Sequence, residues 1–158
     1  MGALSELKDT NIIFTKANSD TNGLIINETI DEYVKTHKNC VCFASLGQLR
    51  YLSALKFVDI VLGNSSSGLA EAPSFKVATI NVGDRQKGRI KASSVIDCKP
   101  KKDEILGAIK RAYSSEFRQI LKDASNPYDG GESSKKIVEI LKNANLEDIL
   151  KKKFYDIR

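Results

Sequence analysis

The sequence contains few of the residues that build nucleophilic or metal-dependent sites. Its 158 residues include one histidine, His37, and three cysteines. Cys40 and Cys42 flank one residue of an apolar run, and no second cluster supplies the four ligands that zinc needs. His37 follows an amphipathic run, which predicts that it ends a helix and faces the helix dipole. We therefore expect no metal, no Ser-His-Asp or Cys-His arrangement, and buried, reduced thiols.

Long apolar runs and aromatic residues are also scarce. No run approaches the roughly 18 apolar residues of a membrane span, and no secretory leader pattern is present, so we expect a cytoplasmic protein without a membrane partner. Aromatic residues make up 7% of the chain, although the formal net charge is +5. The lysines gather in separate loops and tails, near residues 99–102 and 151–153. Since no RNA- or DNA-binding motif accompanies them, we expect no nucleic-acid partner.

Apolar runs alternate with amphipathic runs along the chain, as in a parallel α/β sheet. The predicted strands are 11–15, 40–45, 60–63, 77–83 and 94–98, and the predicted helices are 21–38, 49–58, 103–113, 132–143 and a short one at 146–150. Asp103 is expected to cap the third of these helices. There are no internal repeats, no low-complexity segments and no long linker.

A serine-rich turn after the third strand is the most informative stretch. Asn64, Ser65 and Ser66 are natural N-cap residues for a short helix. The start of such a helix offers N–H donors and the positive end of the dipole, which suit a phosphate. Glu71 is expected about two turns into this helix, within reach of the sugar of a nucleotide. The alternative is a capped turn with no ligand.

The fourth strand leads into a cationic loop that contains Arg85, Lys87 and Arg89. In open α/β sheets, ligands lie outside the carboxyl ends of the strands. Arginine suits a diphosphate because its planar guanidinium donates two parallel hydrogen bonds. A solvated basic loop is the alternative. Two neighbouring loops, one with donors and one with cations, favour a nucleotide diphosphate ligand.

These motifs, in this order and spacing, resemble the UDP-N-acetylglucosamine 2-epimerase family, and more closely its hydrolysing, sialic-acid-pathway branch. The matching segments are residues 16–20 (KANSD), 43–47 (FASLG), 63–68 (GNSSSG) with Glu71, 83–89 (GDRQKGR) and 126–131 (NPYDGG). The likeness covers nearly the whole chain, from about residue 11.

The resemblance implies an enzyme of the glycosyltransferase-B type, in which a UDP-sugar binds between two Rossmann-like halves. This chain is similar to the C-terminal half: a single Rossmann-like, doubly wound UDP-binding domain over residues 1–158, with C-terminal helices from about 131. The N-terminal catalytic half is absent, so we expect a fragment of a longer enzyme. The implied partners are UDP-N-acetylglucosamine or a related UDP-sugar, the N-terminal half and, at full length, further copies in a homo-oligomer. No cofactor is implied beyond UDP or UDP-sugar as ligand.

The resemblance also assigns roles to individual residues. The diphosphate would bind at Ser65 and Ser66, the ribose hydroxyls at Glu71, and the phosphate or nearby groups at Arg85. The full set of implied residues is Asn64, Ser65, Ser66, Gly68, Glu71 and Arg85 for UDP, with Asn18, Asp20, Ser45, Leu46, Gln86 and Arg89 as cleft candidates. Ser45 and Leu46 would lie near the uracil.

The implied reaction is elimination of UDP from UDP-N-acetylglucosamine followed by addition of water, which gives N-acetylmannosamine and UDP. The acid/base groups would lie mainly in the absent half, so no catalytic residue is assigned to this chain, which we expect to bind UDP weakly and to be inactive alone. Two alternatives stay open. One is a UDP-sugar glycosyltransferase domain, and the other is a non-catalytic nucleotide-binding or interaction domain.

Overall fold

The computed structural model describes residues 1–18, 21–147 and 149–151, and the chain divides into two compact units, residues 1–127 and 128–158. Five strands lie in the first unit: β1 (Ile12–Thr15), β2 (Cys40–Phe43), β3 (Ile60–Gly63), β4 (Ala78–Val82) and β5 (Val95–Cys98). Its α-helices are α1 (Gly23–Thr36), α2 (Gly47–Ala54), α3 (Ser67–Ala70), α4 (Lys102–Ala112) and α5 (Ser115–Asp123), with 3-10 helices at Leu4–Glu6 and Ala72–Phe75.

The strands pair in parallel, which confirms the α/β architecture that the sequence predicts. They form two sheets in the first unit, one of order β1-β2 and one of order β3-β4-β5. In the first sheet Ile12 lies opposite Cys40, and in the second Ile60 lies opposite Ala78. β1 and β3 are not hydrogen-bonded to each other.

The core lies around β4, whose first four residues are all buried. Ile80 is fully buried and packs with Ile96 of β5 against α4 and α5, where Ile109 and Phe117 are the largest buried side chains. The prediction that Asp103 caps α4 is wrong: the N-cap residue is Lys101, and Asp103 lies in the first turn. An acidic side chain there still interacts favourably with the helix dipole.

The histidine and cysteines have structural environments. His37 is the C-cap residue of α1, as predicted, and its ring stacks on Tyr33 with the ring centroids 3.8 Å apart. Cys40, Cys42 and Cys98 are free; Cys40 is buried and the other two are partly exposed. Burial raises the pKa of each thiol, which favours the protonated form at neutral pH.

The second unit contains one helix in its described part, α6 (Ser133–Asn143). Residues 144–147 and 149–151 form turns, a bend and stretches without regular structure, so the described residues there do not form the short helix predicted at 146–150. Within the described ranges, no helix combines the length and the apolar character needed to cross a bilayer.

Candidate functional site

The candidate site lies at the carboxyl ends of β3 and β4, where the serine turn and the cationic loop meet. The two segments are tied together by Gln86, whose Nε2 donates a 2.7 Å hydrogen bond to the carbonyl oxygen of Asn64. Sheet order explains this arrangement, because β3 and β4 are neighbours and parallel, and their carboxyl ends share one edge. A ligand at that edge would therefore meet both segments.

The serine turn leads into a helix that is only one turn long. Ser66 is the N-cap residue of α3 but makes no side-chain capping hydrogen bond, and the N–H of Ser67 donates to Oγ of Ser65 at 3.3 Å. The prediction that Glu71 lies two turns into the helix is wrong, since it follows the last helical residue. Pro73 explains the early end, because it lacks the N–H that would bond to Leu69 and its ring clashes with the preceding turn.

The shortness of α3 changes the electrostatic argument for this turn. A macrodipole builds up from aligned peptide units, and a single turn contributes little of it. The polar groups available to an anion at this turn are therefore local: the exposed side chains of Asn64, Ser65 and Ser66. Glu71 is partly buried just beyond them.

Gly68 has a packing role in the structure. A β-carbon at Gly68 would lie 2.6 Å from Cγ2 of Thr79, so only glycine fits here without a shift. The hydroxyl of Thr79 also donates a 2.8 Å hydrogen bond to the carbonyl of Gly68. Contact between α3 and β4 is sufficient to explain this glycine, whether or not a ligand is bound.

Tyr51 is part of the site and was not predicted from the sequence. Its hydroxyl lies 2.7 Å from Oγ of Ser67, which joins α2 to the serine turn. Burial raises the pKa of Tyr51, the hydrogen bond to Ser67 opposes that change, and the nearby Glu71 carboxylate adds to it. The sequence did offer one indication of this contact, a tyrosine among the apolar residues of α2. A buried tyrosine hydroxyl requires a hydrogen-bond partner.

In the cationic loop the charged side chains are exposed and the amide side chain of Gln86 is buried. Arg85, Lys87 and Arg89 are exposed, whereas Gln86 is only 3% exposed. Gln86 thus connects the two loops from a buried position, and the cleft role that the resemblance implies for it stays a prediction. Its Oε1 has no hydrogen-bond partner in the described part of the chain. Arg85 and Arg89 remain on the surface that faces solvent.

The other cleft candidates follow β1 and β2, in the two-stranded sheet. Asn18 is exposed, and the preceding Ala17 is held by Asn27, which accepts from its N–H and donates to its carbonyl at 2.8 and 3.2 Å. Ser45 is exposed and accepts a 3.1 Å hydrogen bond from the N–H of Gly47 at the start of α2. Leu46 is partly buried. Asp20 lies outside the described residues.

A polar cluster of Asn81, Lys91 and Asp97 lies next to the cationic loop in the sequence. Asp97 in β5 accepts hydrogen bonds from Asn81 at 2.6 Å and from Lys91 at 2.7 and 2.8 Å. Burial alone would raise the pKa of Asp97, but the hydrogen bonds from Lys91 and Asn81 outweigh it and hold the pKa below its usual value. The pair ties the segment after the cationic loop to the end of β5.

Comparison with known proteins gives consistent results. The family model of UDP-N-acetylglucosamine 2-epimerase matches residues 1–142. A Campylobacter jejuni protein described as GDP/UDP-N,N'-diacetylbacillosamine 2-epimerase (hydrolyzing) is 45% identical over 156 residues, covering 98% of this chain and 40% of that protein. The polysialic acid biosynthesis protein P7 of Escherichia coli is 38% identical, with 99% and 40% covered.

A solved structure supports the fold. The Methanocaldococcus jannaschii UDP-GlcNAc 2-epimerase, crystallised with UDP-GlcNAc and UDP, superposes with a TM-score of 0.69 at 23% identity, covering 86% of this chain and 36% of that one. At this identity the likeness establishes the fold alone, which is Rossmann-like. The chain spans about two fifths of the length of the curated relatives that it matches.

Proposed function

The chain belongs to the UDP-N-acetylglucosamine 2-epimerase family, and from that premise we propose that it is the nucleotide-sugar-binding part of a hydrolysing UDP-sugar 2-epimerase. The supporting observation is the hydrogen bond between Gln86 and Asn64, because it joins the turn that carries the exposed serines to the loop that carries the exposed arginines, at one sheet edge. A diphosphate needs this combination of neutral donors and cations.

We propose that Ser65, Ser66 and Arg85 hold the diphosphate and that Glu71 accepts hydrogen bonds from the ribose hydroxyls. Elimination of UDP from the sugar builds up negative charge on the departing diphosphate. Donors that are already in place when this charge develops stabilise the transition state. On this proposal, the chain contributes leaving-group stabilisation.

Removal and return of the proton at C2 of the sugar require acid/base groups. We assign these groups to the part of an intact enzyme that this chain does not span, in line with the family resemblance. The purified chain is then expected to bind UDP weakly and to show no turnover of UDP-N-acetylglucosamine. Turnover by the chain alone would contradict this assignment.

Calorimetric titration of the purified chain with UDP, UMP and ADP tests the site. We expect UDP to bind more tightly than ADP, and Arg85→Ala to weaken UDP binding. One charge-assisted hydrogen bond contributes about 1.5–3 kcal/mol, so the expected loss is roughly 10- to 150-fold. Lys110→Ala is the matched control, because it removes one exposed positive charge from α4, away from the loop.

Two results would contradict the proposal. Equal affinity for ADP and UDP would rule out a uridine site. Unchanged UDP affinity in Arg85→Ala, or an equal loss in Lys110→Ala, would show that the cationic loop makes no specific contact with the diphosphate.

A further inference from the structure

A cavity in the first unit is lined by strands of both of its sheets. It has a volume of about 630 Å³ and is lined by β1 on one side and β3 on the other. Ile13 and Phe14 contribute from β1 and Ile60 and Leu62 from β3, while Phe57 also lines it. We call this cavity the strand slot.

The backbones of both strands present unused hydrogen-bonding groups to the strand slot. On β1, the N–H groups of Ile12 and Lys16 donate toward β2, at 2.9 and 3.0 Å. Backbone groups alternate in direction along a strand, so those of Ile13 and Thr15 point away from β2, and Ile13 lines the slot. Nothing in the described chain pairs with this edge of β1.

The same alternation applies to β3. On β4, the N–H of Thr79 donates toward β5 at 2.9 Å, so Ala78 and Ile80 face β3. In a parallel pair, a residue that faces its partner strand bonds to the residues on either side of the one opposite it. Ile80 lies opposite Leu62, so it bonds to the neighbours of Leu62, and the backbone groups of Ile60 and Leu62 face away from β4 and into the slot. Two strand edges, whose outward backbone groups have no partner in the described chain, therefore line one cavity, and the lining residues that come from these two strands are all apolar.

The composition of β1 and β3 does not fit an edge position. Their sequences are IIFT and IVLG, with no charged residue and no proline. Native edge strands carry such residues to block further pairing, whereas interior strands of parallel sheets are continuous apolar runs. Yet Ile13 is 48% exposed, Leu62 is 36% exposed and Phe57 is 86% exposed. Both strands therefore have the sequence of interior strands, but their side chains are not buried as those of interior strands are.

The strand order identifies what is missing. With the slot included, the order reads β2, β1, slot, β3, β4, β5. The Rossmann fold has the order 3-2-1-4-5-6, in which a central strand lies between the two halves of the sheet. One inserted strand would turn the two sheets into one sheet of this order. Neighbouring strands lie about 4.8 Å apart, so a single strand pairs with both edges where the two edge strands are about twice that distance apart.

We propose that the strand slot binds one extended apolar strand, parallel to β1 and β3, which comes from the part of an intact family member that this chain does not span. The relatives are about two and a half times as long as the matched region, so such a part exists in them. The strand completes the sheet, buries Ile13 and Leu62, and fixes β1 relative to β3. This inference does not depend on UDP binding.

Amide hydrogen exchange of the full chain tests the proposal directly. The probe is the remainder of the Campylobacter jejuni relative, that is, the part outside its match to this chain, purified separately and mixed with the chain without nucleotide. We expect a complex in which exchange at the amides of Ile13, Thr15 and Leu62 slows by on the order of tenfold or more. The amide of Cys42 is the internal control for slowing that is not specific to the slot. Backbone groups alternate in direction along β2, so the N–H of Cys42 points away from β1, to the outer edge of the sheet.

Three results would overturn the proposal. They are the absence of a complex, a complex without slower exchange at the slot amides, and equal slowing at Cys42. Slower exchange in the chain alone that increases with its concentration would also overturn it, because a second copy would then occupy the slot.

A pair of proline variants gives a second test. Ile13→Pro removes an N–H that faces the slot, and Cys42→Pro removes one that faces the outer edge of β2; neither N–H bonds between β1 and β2. We expect Ile13→Pro to weaken the complex by about tenfold or more, since it leaves a buried acceptor unpaired. The loss in Cys42→Pro should be clearly smaller. Equal losses would contradict strand insertion, and the exchange experiment on the unmodified chain decides the question if either variant is unfolded.

Discussion

Replacing Gly68 with alanine tests the tightest contact beneath the candidate site. The added β-carbon would lie 2.6 Å from Cγ2 of Thr79, far inside normal contact distance. Thr79 is 3% exposed, and its hydroxyl is held by the 2.8 Å hydrogen bond to the carbonyl of Gly68. The threonine cannot rotate without losing this bond, so α3 must move away from β4.

The magnitude follows from the cost of overpacking. Inserting a methyl group into a well-packed region costs about 1–3 kcal/mol. For a chain of this size, each 1 kcal/mol lowers the melting temperature by about 2–4 °C. We therefore expect Gly68→Ala to melt about 2–12 °C lower than the unmodified chain.

Urea and thermal unfolding of a double-mutant cycle provide the assay. Thr79→Ser removes the clashing Cγ2 and keeps the hydroxyl, at a cost of about 0.5–1.5 kcal/mol for one buried methyl group. Added to Thr79→Ser, the Gly68→Ala change should cost much less than it does alone, with a coupling energy of about 0.5–3 kcal/mol.

Gly107→Ala is the matched control. Gly107 is exposed in α4, and a β-carbon there meets nothing within 4 Å. Alanine should therefore stabilise the helix by about 0.5–1 kcal/mol. The reasoning is refuted if Gly68→Ala unfolds like the unmodified chain, or if the costs of Gly68→Ala and Thr79→Ser simply add.

Two further predictions concern the segments around the site. Gln86→Met should lower the free energy of unfolding in urea by about 1 kcal/mol, because it unpairs the carbonyl of Asn64 but also removes the buried, unpartnered Oε1. Gln86→Glu should lower it further, since it buries a charge. The reverse order would contradict the role of Gln86 in joining the two loops. Lys91→Met should raise the pKa of Asp97 in a carboxyl NMR titration. Because the pKa of Asp97 is depressed in the folded chain, its pairing with Lys91 stabilises the folded chain above about pH 4. This contribution is lost as the pH falls through the pKa of Asp97 in the folded chain. The stability difference between the two proteins should then shrink in acid, and a constant difference would refute the role of Asp97.

The five strands of the first unit were predictable because their signal is local. Each is a short apolar run bounded by turn residues, and each appears within a few residues of its predicted place. The parallel arrangement followed from the alternation with helices, and the pairings of β1 with β2 and of β3 with β4 confirm it.

A prediction failed, or a contact was missed, where the outcome depended on a single residue or on a neighbour distant in sequence. Pro73 ends α3 after one turn, so Glu71 follows the helix that was expected to contain it. The cleft role of Gln86 stays a prediction, but its burial and its hydrogen bond to Asn64 were not indicated by the sequence. No periodicity in the sequence distinguishes a glutamine that faces a ligand from one that ties two loops.

The sequence by itself determined the strand and helix order, the family likeness and the chemistry of the two loops, because apolar periodicity and side-chain type are properties of short segments. Only the tertiary structure brought Tyr51 to Ser67 and Gln86 to Asn64, since those partners are 16 and 22 residues apart in the chain. It also decided that β1 and β3 face each other across the strand slot. The residues of a strand predict whether it is an interior strand, but whether a neighbouring strand is present depends on segments elsewhere in the polypeptide.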